Sequence, residues 1–317
     1  MDAILLALAR AALNMGDAHL KAGRPPAAAA CLRCVLAVMP DFDAGYARLS
    51  QALAEERAWP ALLDAYRRLA LLHPEFAEGA WARRASVLRA MLLDAHGPRV
   101  LGGPFAGMAF DGTVSEGCYL PRMLGCYEAE LHPHLDALAA RRHDVVINVG
   151  CAEGYYAVGL ARRWPWATVH ARDIDPAALD ACRRLAAANG VAGRVVVGGR
   201  FEGADFAAFA GRRVLVVCDV EGFEEALLDP ERFPALAGFD VLAELHPFAR
   251  PDMAGLIAGR FRSTHAVTVV PNRVPDASAL PAPLAGLGAE DRALAVWETR
   301  GTPTPWAVMT ARAMDRP

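Results

Sequence analysis

From residue 144 onward the chain alternates between short β-branched runs and helix-like stretches, and few architectures accept that pattern. The strand-like runs are DVVINV (144–149), ATVHARDI (167–174), RVVVGG (194–199), RVLVVCDV (213–220), FDVLAEL (239–245) and THAVTVV (264–270). Between them, 154–163, 176–188, 223–229 and 252–260 have the length and periodicity of helices. Alternation of this kind specifies βαβ units, and so an α/β fold with a doubly wound, mostly parallel sheet. Ligands of such sheets sit at the carboxyl ends of the strands. A last run, TPWAVMTAR (304–312), reads as a further strand, antiparallel to the rest. The preceding PNRVPDASALPAPLAGLG (271–288) reads as a long Pro/Ala loop of the lid or interface kind.

Residues 1–95 have a different character. They are rich in Ala, Leu and Arg, with apolar residues at helical spacing and breaks at Gly23–Pro26, Pro40, Pro60 and Pro74. AVMPDFDAGY (37–46) and LLHPEFAEGA (71–80) align with Pro40 and Pro74 thirty-four residues apart, and the same shift pairs Pro26 with Pro60 and Phe42 with Phe76. That period resembles the tetratricopeptide repeat, a helix–turn–helix unit. The resemblance implies a groove for a peptide or partner subunit; a helical cap or a homodimer contact is the plainer expectation. The chain therefore divides into an all-α domain (1–95), a linker with a short hairpin and a lead-in helix (96–140), and the α/β domain (141–317).

Bulk properties exclude several classes. A formal charge of −3 over 317 residues leaves no basic footprint for nucleic acid or an anionic membrane surface. The apolar N-terminus MDAILLALARAALNM carries Asp2 and Arg10, and no stretch reaches the roughly 18–20 apolar residues of a membrane helix. Seven cysteines without a framework suit a reducing, cytoplasmic setting, and the lone pair Cys31 and Cys34 reads as buried helix cysteines.

The first strand runs into Gly150-Cys-Ala-Glu-Gly154. A dinucleotide fingerprint needs glycine where Ala152 stands, and Glu153 would set a carboxylate beside a pyrophosphate, against the preference of a helix N-terminus for anions. S-adenosylmethionine carries a sulfonium and an ammonium instead of phosphates, so an acid at that turn is tolerable, and its carboxylate can take backbone N–H groups. Asp173, twenty-three residues after Gly150, stands at the end of the second strand where an acid can accept both ribose hydroxyls. Asp175 reads as the N-cap of the helix opening at Pro176.

Taken together, VVINVGCAEGYYAVGLA, ARDIDPAALDACRRLAAANGV, VLVVCDVEGFEEALLDP and FDVLAELHPF resemble a class I S-adenosylmethionine-dependent methyltransferase, and within that class the FkbM-type group with its G-x-x-x-G-Y-Y and D-V-E-G-x-E motifs. The resemblance covers about residues 144–270. It implies that Asn148, Gly150, Glu153 and Gly154 line the methionine half of the cofactor, Asp173 the ribose, and Asp219 the methyl-transfer face. Tyr127 and Glu130, in the segment before the first strand, are expected to fold back over the cofactor. Where many relatives place a polar group against adenine, this chain has Gly199 and Arg200.

Asp219 and Glu221 follow the fourth strand, and Glu244 and His246 follow the fifth, so parallel neighbours converge these four on one cleft. Three carboxylates that close repel unless a cation or a shared proton intervenes. Three readings stay open. His246 is a general base held by an acid; or Asp219, Glu244 and His246 bind a Mg2+-type ion that orients vicinal oxygens; or the acids are buried and structural. The expected activity is methyl transfer to a hydroxyl of a small or sugar-like molecule. Transfer to an amine or peptide nitrogen, and a non-catalytic scaffold, are the alternatives.

Overall fold

The computed structural model describes residues 3–110 and 119–312. These form two compact units, Met1–Ala95 with Ser278–Ala295, and His96–Ala277 with Val296–Pro317. The segment 278–295, expected within the α/β domain, therefore belongs with the helices.

The helical unit contains α1 (Ala3–Lys21), α2 (Pro25–Val38), α3 (Asp43–Glu55), α4 (Trp59–Leu72) and α5 (Ala77–His96). Helix starts recur with the period of the prolines: α4 begins thirty-four residues after α2, and α5 thirty-four after α3. Proline stands in the first turn of α2 and of α4, where its missing N–H has no intrahelical partner to lose. Helices α2 to α5 each bury one face, through Leu32 and Val35, Tyr46 and Leu49, Leu62 and Leu69, and Leu88 and Leu92 respectively. The loop expected over 271–288 is followed by a helix, Ala289–Val296, whose fully buried Asp291 is ion-paired with Arg67 at 2.5 Å and Arg84 at 2.6 Å. Those two arginines, not any local signal, explain why that segment joins this unit.

The second unit is built on a seven-stranded sheet, ordered β3-β2-β1-β4-β5-β7-β6. Its strands are β1 (Val145–Val149), β2 (Thr168–Arg172), β3 (Val195–Gly198), β4 (Val214–Cys218), β5 (Asp240–Glu244), β6 (His265–Val270) and β7 (Trp306–Ala311). All pairs are parallel except those of β7, which is antiparallel to both β5 and β6. The fold is thus a doubly wound, Rossmann-like α/β sheet with one antiparallel strand. Central strands β1, β4 and β5 are buried along their whole length, which is why they read as unbroken apolar runs, whereas β2 alternates between buried and half-buried positions.

The lead-in segment holds two helices, α6 (Tyr119–Leu124) and α7 (His132–Ala139), in place of one continuous stretch. The break lies at Gly125, whose φ is +77° and where a Cβ would stand 2.1 Å from the Gly102 carbonyl oxygen. Of the hairpin expected in 96–118, the described part is a single antiparallel bridge between Arg99 and Ala109; residues 111–118 lie outside the described residues. The crossover helices are α8 (Tyr155–Arg163), α9 (Pro176–Ala188), α10 (Glu224–Leu227) and α11 (Met253–Phe261). Helix α10 is one turn long rather than seven residues, because Pro230 follows closely and cannot continue a helix.

Candidate active site

Between β1 and α8 the chain turns through Gly150 (φ +74°), Ala152 (φ +45°) and Gly154 (φ +95°). A Cβ on Gly150 would lie 1.5 Å from the Asp219 carbonyl oxygen, so the first turn is pressed against the end of β4 and no other residue fits. Gly154 opens α8, and its missing side chain admits the Cys182 sulfur of α9. The turn's own donors are largely committed. The N–H groups of Gly150 and Cys151 donate to the Arg172 carbonyl at 2.9 and 3.0 Å, that of Gly154 to the Cys151 carbonyl at 2.8 Å, and that of Ala152 to the Asp173 carboxylate at 2.8 Å. The expectation that these amides bind a cofactor's carboxylate is therefore not met by those four. The same fact counts against a pyrophosphate, which relies on such donors.

A cavity of about 330 Å3 opens at these strand ends, within the size range of small-molecule sites. Val149, Ile174, Phe201, Val220, Phe223 and Leu227 give it apolar walls, and Asp173 and Arg122 are among its polar groups. The Asp173 carboxylate accepts from Ala152 on one oxygen and from the Asp175 N–H, at 2.9 Å, on the other, which leaves each oxygen a further lone pair for a ribose diol. Asp175 caps α9 through the Ala177 N–H at 2.9 Å. Residues Gly199 and Arg200 follow β3, and Arg200 with Phe201 stands in the cavity wall.

Several residues assigned to the cofactor stand elsewhere. Asn148 alternates with Val149 along β1, so its side chain turns to the other face, where its amide donates to the Val217 carbonyl at 3.4 Å. Glu153 is buried and ion-paired with Arg122, which keeps its carboxylate out of the cavity wall. Glu130 is also buried and takes a hydrogen bond from Asn272 at 3.4 Å, outside both cavities. Tyr127 lines not the first cavity but a second.

That second cavity, about 440 Å3, shares Asp219 and Glu221 with the first and adds Tyr127, Glu244, His246, Phe248, Glu298, Arg300 and Thr304. The four candidate catalytic residues thus meet at one junction. His246 is 3% exposed; its Nδ1–H donates to Glu224 Oε1 at 2.6 Å, and its Nε2 lies 3.5 Å from Glu221 and 3.7 Å from Asp219. Burial by itself would lower the His246 pKa, but the hydrogen bond to Glu224 and the charges of Glu224, Glu244 and Glu221 outweigh it and leave a net rise. Donor atoms of Asp219, Glu221 and His246 all fall within 4.8 Å of one another, an arrangement able to hold a metal ion. Glu244, expected in that set, is instead bound by Arg300 and by the Thr304 hydroxyl, and Glu221 takes its place.

Sequence reasoning passed over three groups. Glu224 is fully buried and also accepts the Gly222 N–H at 3.1 Å; it is the last residue of the D-V-E-G-F-E motif, so a signal for it was present. Arg300 bridges three buried carboxylates: Glu128 at 2.5 Å, Glu298 at 3.0 Å, and Glu244. Burial, then the charge of Glu244, pushes the Glu128 carboxyl up to about 8, and its oxygens also accept from Tyr156 Oη and Trp306 Nε1. Arg122 stacks over the Tyr127 ring, 4.5 Å from its centroid. Neither Arg300 nor Arg122 lies in a recognisable motif.

No family model matches this chain. Over 96 residues it is 32% identical to the ribosomal RNA small subunit methyltransferase C of Stutzerimonas stutzeri (strain A1501), a match that spans 30% of this chain and about a quarter, 26%, of that protein. Among solved structures it is similar to an O-methyltransferase described as putative from Klebsiella pneumoniae (11% identity, 60% of this chain and 82% of that one, TM-score 0.40). It is similar also to the O-methyltransferase TomG from Streptomyces achromogenes, involved in tomaymycin synthesis and solved with SAM (15% identity, 62% and 92%, TM-score 0.39). A third is the O-methyltransferase from Bacillus cereus in complex with SAH (11% identity, 61% and 96%, TM-score 0.37). These TM-scores lie under 0.5, and it is the strand order and register that define the fold.

Proposed function

We propose that this chain is an S-adenosylmethionine-dependent methyltransferase that acts on a hydroxyl of a small or sugar-like molecule. One observation carries the reading: two cavities at the carboxyl ends of the parallel strands meet at Asp219 and Glu221. The first has an acid suited to a ribose diol and a turn unsuited to phosphates. The second has acids and a histidine at the place where an acceptor would face the donor.

In this reading the ribose hydroxyls lie on Asp173 and the adenine between Ile174 and Phe201. Because the turn's amides are committed, Arg122 is the cation for the methionine carboxylate, with Glu153 fixing its guanidinium. Methyl transfer is an in-line displacement: the S–CH3 bond breaks as the O–CH3 bond forms, the bonding pair stays on sulfur, and the hydroxyl proton passes to a carboxylate or the imidazole at the junction, and from there to solvent. Alignment of donor and acceptor is the larger contribution, up to roughly 7–11 kcal/mol at the ideal limit. Proton removal or charge stabilisation at the junction adds about 10²–10⁴-fold. The similar structures include O-methyltransferases, and the motif resemblance favours the FkbM-type group. The thirty-four-residue recurrence of helix starts supports a tetratricopeptide-like role for the first unit, as a partner-binding or capping element.

The test is transfer of a labelled methyl group from S-adenosylmethionine to a panel of diols, phenols, sugars and amines. Product on a hydroxyl acceptor, lost in His246→Ala by at least about a hundredfold while S-adenosylhomocysteine still binds, is the expected result. Product on amines alone overturns the acceptor assignment, and no product with any acceptor leaves a scaffold as the better account.

A further inference from the structure

We propose that Asp219, Glu221 and His246 form a binding site for one divalent transition-metal ion, at the junction of the two cavities. The His246 imidazole is held in one orientation. Its Nδ1–H is fixed on Glu224 at 2.6 Å, and Glu224 is fully buried, so the tautomer and the ring plane are set and Nε2 is turned toward the chamber. An imidazole oriented by a carboxylate behind it is the usual arrangement of a metal-binding histidine.

Nε2 belongs to a side chain only 3% exposed, yet among the described residues it makes no hydrogen bond. Glu221 Oε2 lies 3.5 Å and Asp219 Oδ1 3.7 Å from it. An imidazolium between two carboxylates would draw at least one of them to about 2.7–2.9 Å. Two bonds of about 2.0–2.2 Å to a shared ion instead set donor atoms about 3–4 Å apart, depending on the angle at the metal. The spacing therefore suits a cation lying between the three groups better than a proton on Nε2.

The turn that carries the acids is shaped for this. Glu221 is held at φ +50°, a conformation that side-chain-bearing residues rarely adopt, and Gly222 follows at +103°. The result is that the motif sends Asp219 and Glu221 outward and Glu224 inward within six residues. Glu221 is 60% and Asp219 33% exposed in their side chains, so an ion can enter from solvent. The donor set of one imidazole and two carboxylates favours Mn2+ or Zn2+ over Mg2+, which seldom takes imidazole. Glu244, tied to Arg300 and Thr304, stays out of the set. The acceptor class that follows, a molecule offering two neighbouring oxygens to the ion, rests on the methyltransferase reading; the ion site does not.

The full chain, stripped with chelator, is titrated with Mn2+ alone, and free Mn2+ is followed by its paramagnetic resonance signal. The expected result is one saturable site per chain, weakened at least about tenfold in Glu221→Gln and in His246→Ala. Glu221 is largely exposed, so its variant keeps the test valid should the histidine variant misfold. Absence of saturable binding, or equal affinity in wild type and Glu221→Gln, overturns the site. S-adenosylhomocysteine is titrated into the same samples. If it binds while Mn2+ does not, the methyltransferase reading stands and the metal site falls; if Mn2+ binds alone, the reverse holds.

Discussion

The two cavities lie on one sheet but are built from different materials. The first sets apolar side chains around a main-chain frame: a glycine turn against β4, a helix cap, and Asp173, held by the N–H groups of Ala152 and Asp175. The second is made of side chains, with Glu128, Glu298 and Arg300 brought from segments 170 residues apart to meet Glu244 at the end of β5. A main-chain site is rigid and serves one invariant ligand. A side-chain site can be re-cut residue by residue. The contrast also separates the electrostatics, since Asp173, the first cavity's own acid, is satisfied by backbone N–H groups, whereas Glu244 and Glu298 in the second share the Arg300 guanidinium.

Each half can be broken separately. The largest effect is expected from Gly150→Ala, whose Cβ would stand 1.5 Å from the Asp219 carbonyl oxygen at a φ of +74°. A loss above about 3 kcal/mol in denaturant unfolding, with no S-adenosylhomocysteine binding, is the expected outcome; a tolerated alanine would show that the turn can move. On the other side, Arg300→Met leaves three buried carboxylates without their shared cation. It should cost about 3–5 kcal/mol, partly recovered when Glu244→Gln is added. If the double variant is no better than the single, the cluster does not act as a unit.

Asp173→Ala is expected to weaken S-adenosylhomocysteine about tenfold or more by calorimetry without altering the second cavity. Unchanged affinity removes Asp173 from the ribose.

A further effect concerns pH. The Glu128 carboxyl titrates at about 8 in the folded chain against an ordinary 4.5, so the folded state binds the proton more tightly. Its contribution to stability is full below the ordinary value and is lost as pH rises through about 8. Glu128→Gln should therefore flatten the fall in melting temperature between about pH 5 and 8, an effect on the order of a few kcal/mol at most. A parallel fall in both proteins would place the proton elsewhere in the cluster.

What the sequence disclosed follows the same division. The strand–turn–helix at 144–163, Asp173 at the end of β2, and the convergence of Asp219, Glu221 and His246 were legible, because βαβ topology fixes where strand ends go. The alternation of Asn148 with Val149 was equally fixed by the pleat, yet the motif drew attention to the polar residue and not to its face. Glu153 was misplaced for want of its partner, since nothing in YLPRML (119–124) marks Arg122 as the residue that takes it. Arg300 and its pairing with Glu128 were invisible for a deeper reason: the partners are set by how β7 threads between β5 and β6, and no local period encodes that. The helix at 289–296 was missed likewise, because it depends on Arg67 and Arg84, more than two hundred residues earlier.

The central claim is that the main-chain cavity holds a phosphate-free adenosyl cofactor. Calorimetric titration of the purified full chain with S-adenosylhomocysteine, and separately with NADH, tests it most directly. The account predicts saturable, micromolar binding of S-adenosylhomocysteine at one site per chain and none of NADH; binding of NADH, or of neither compound, would contradict it.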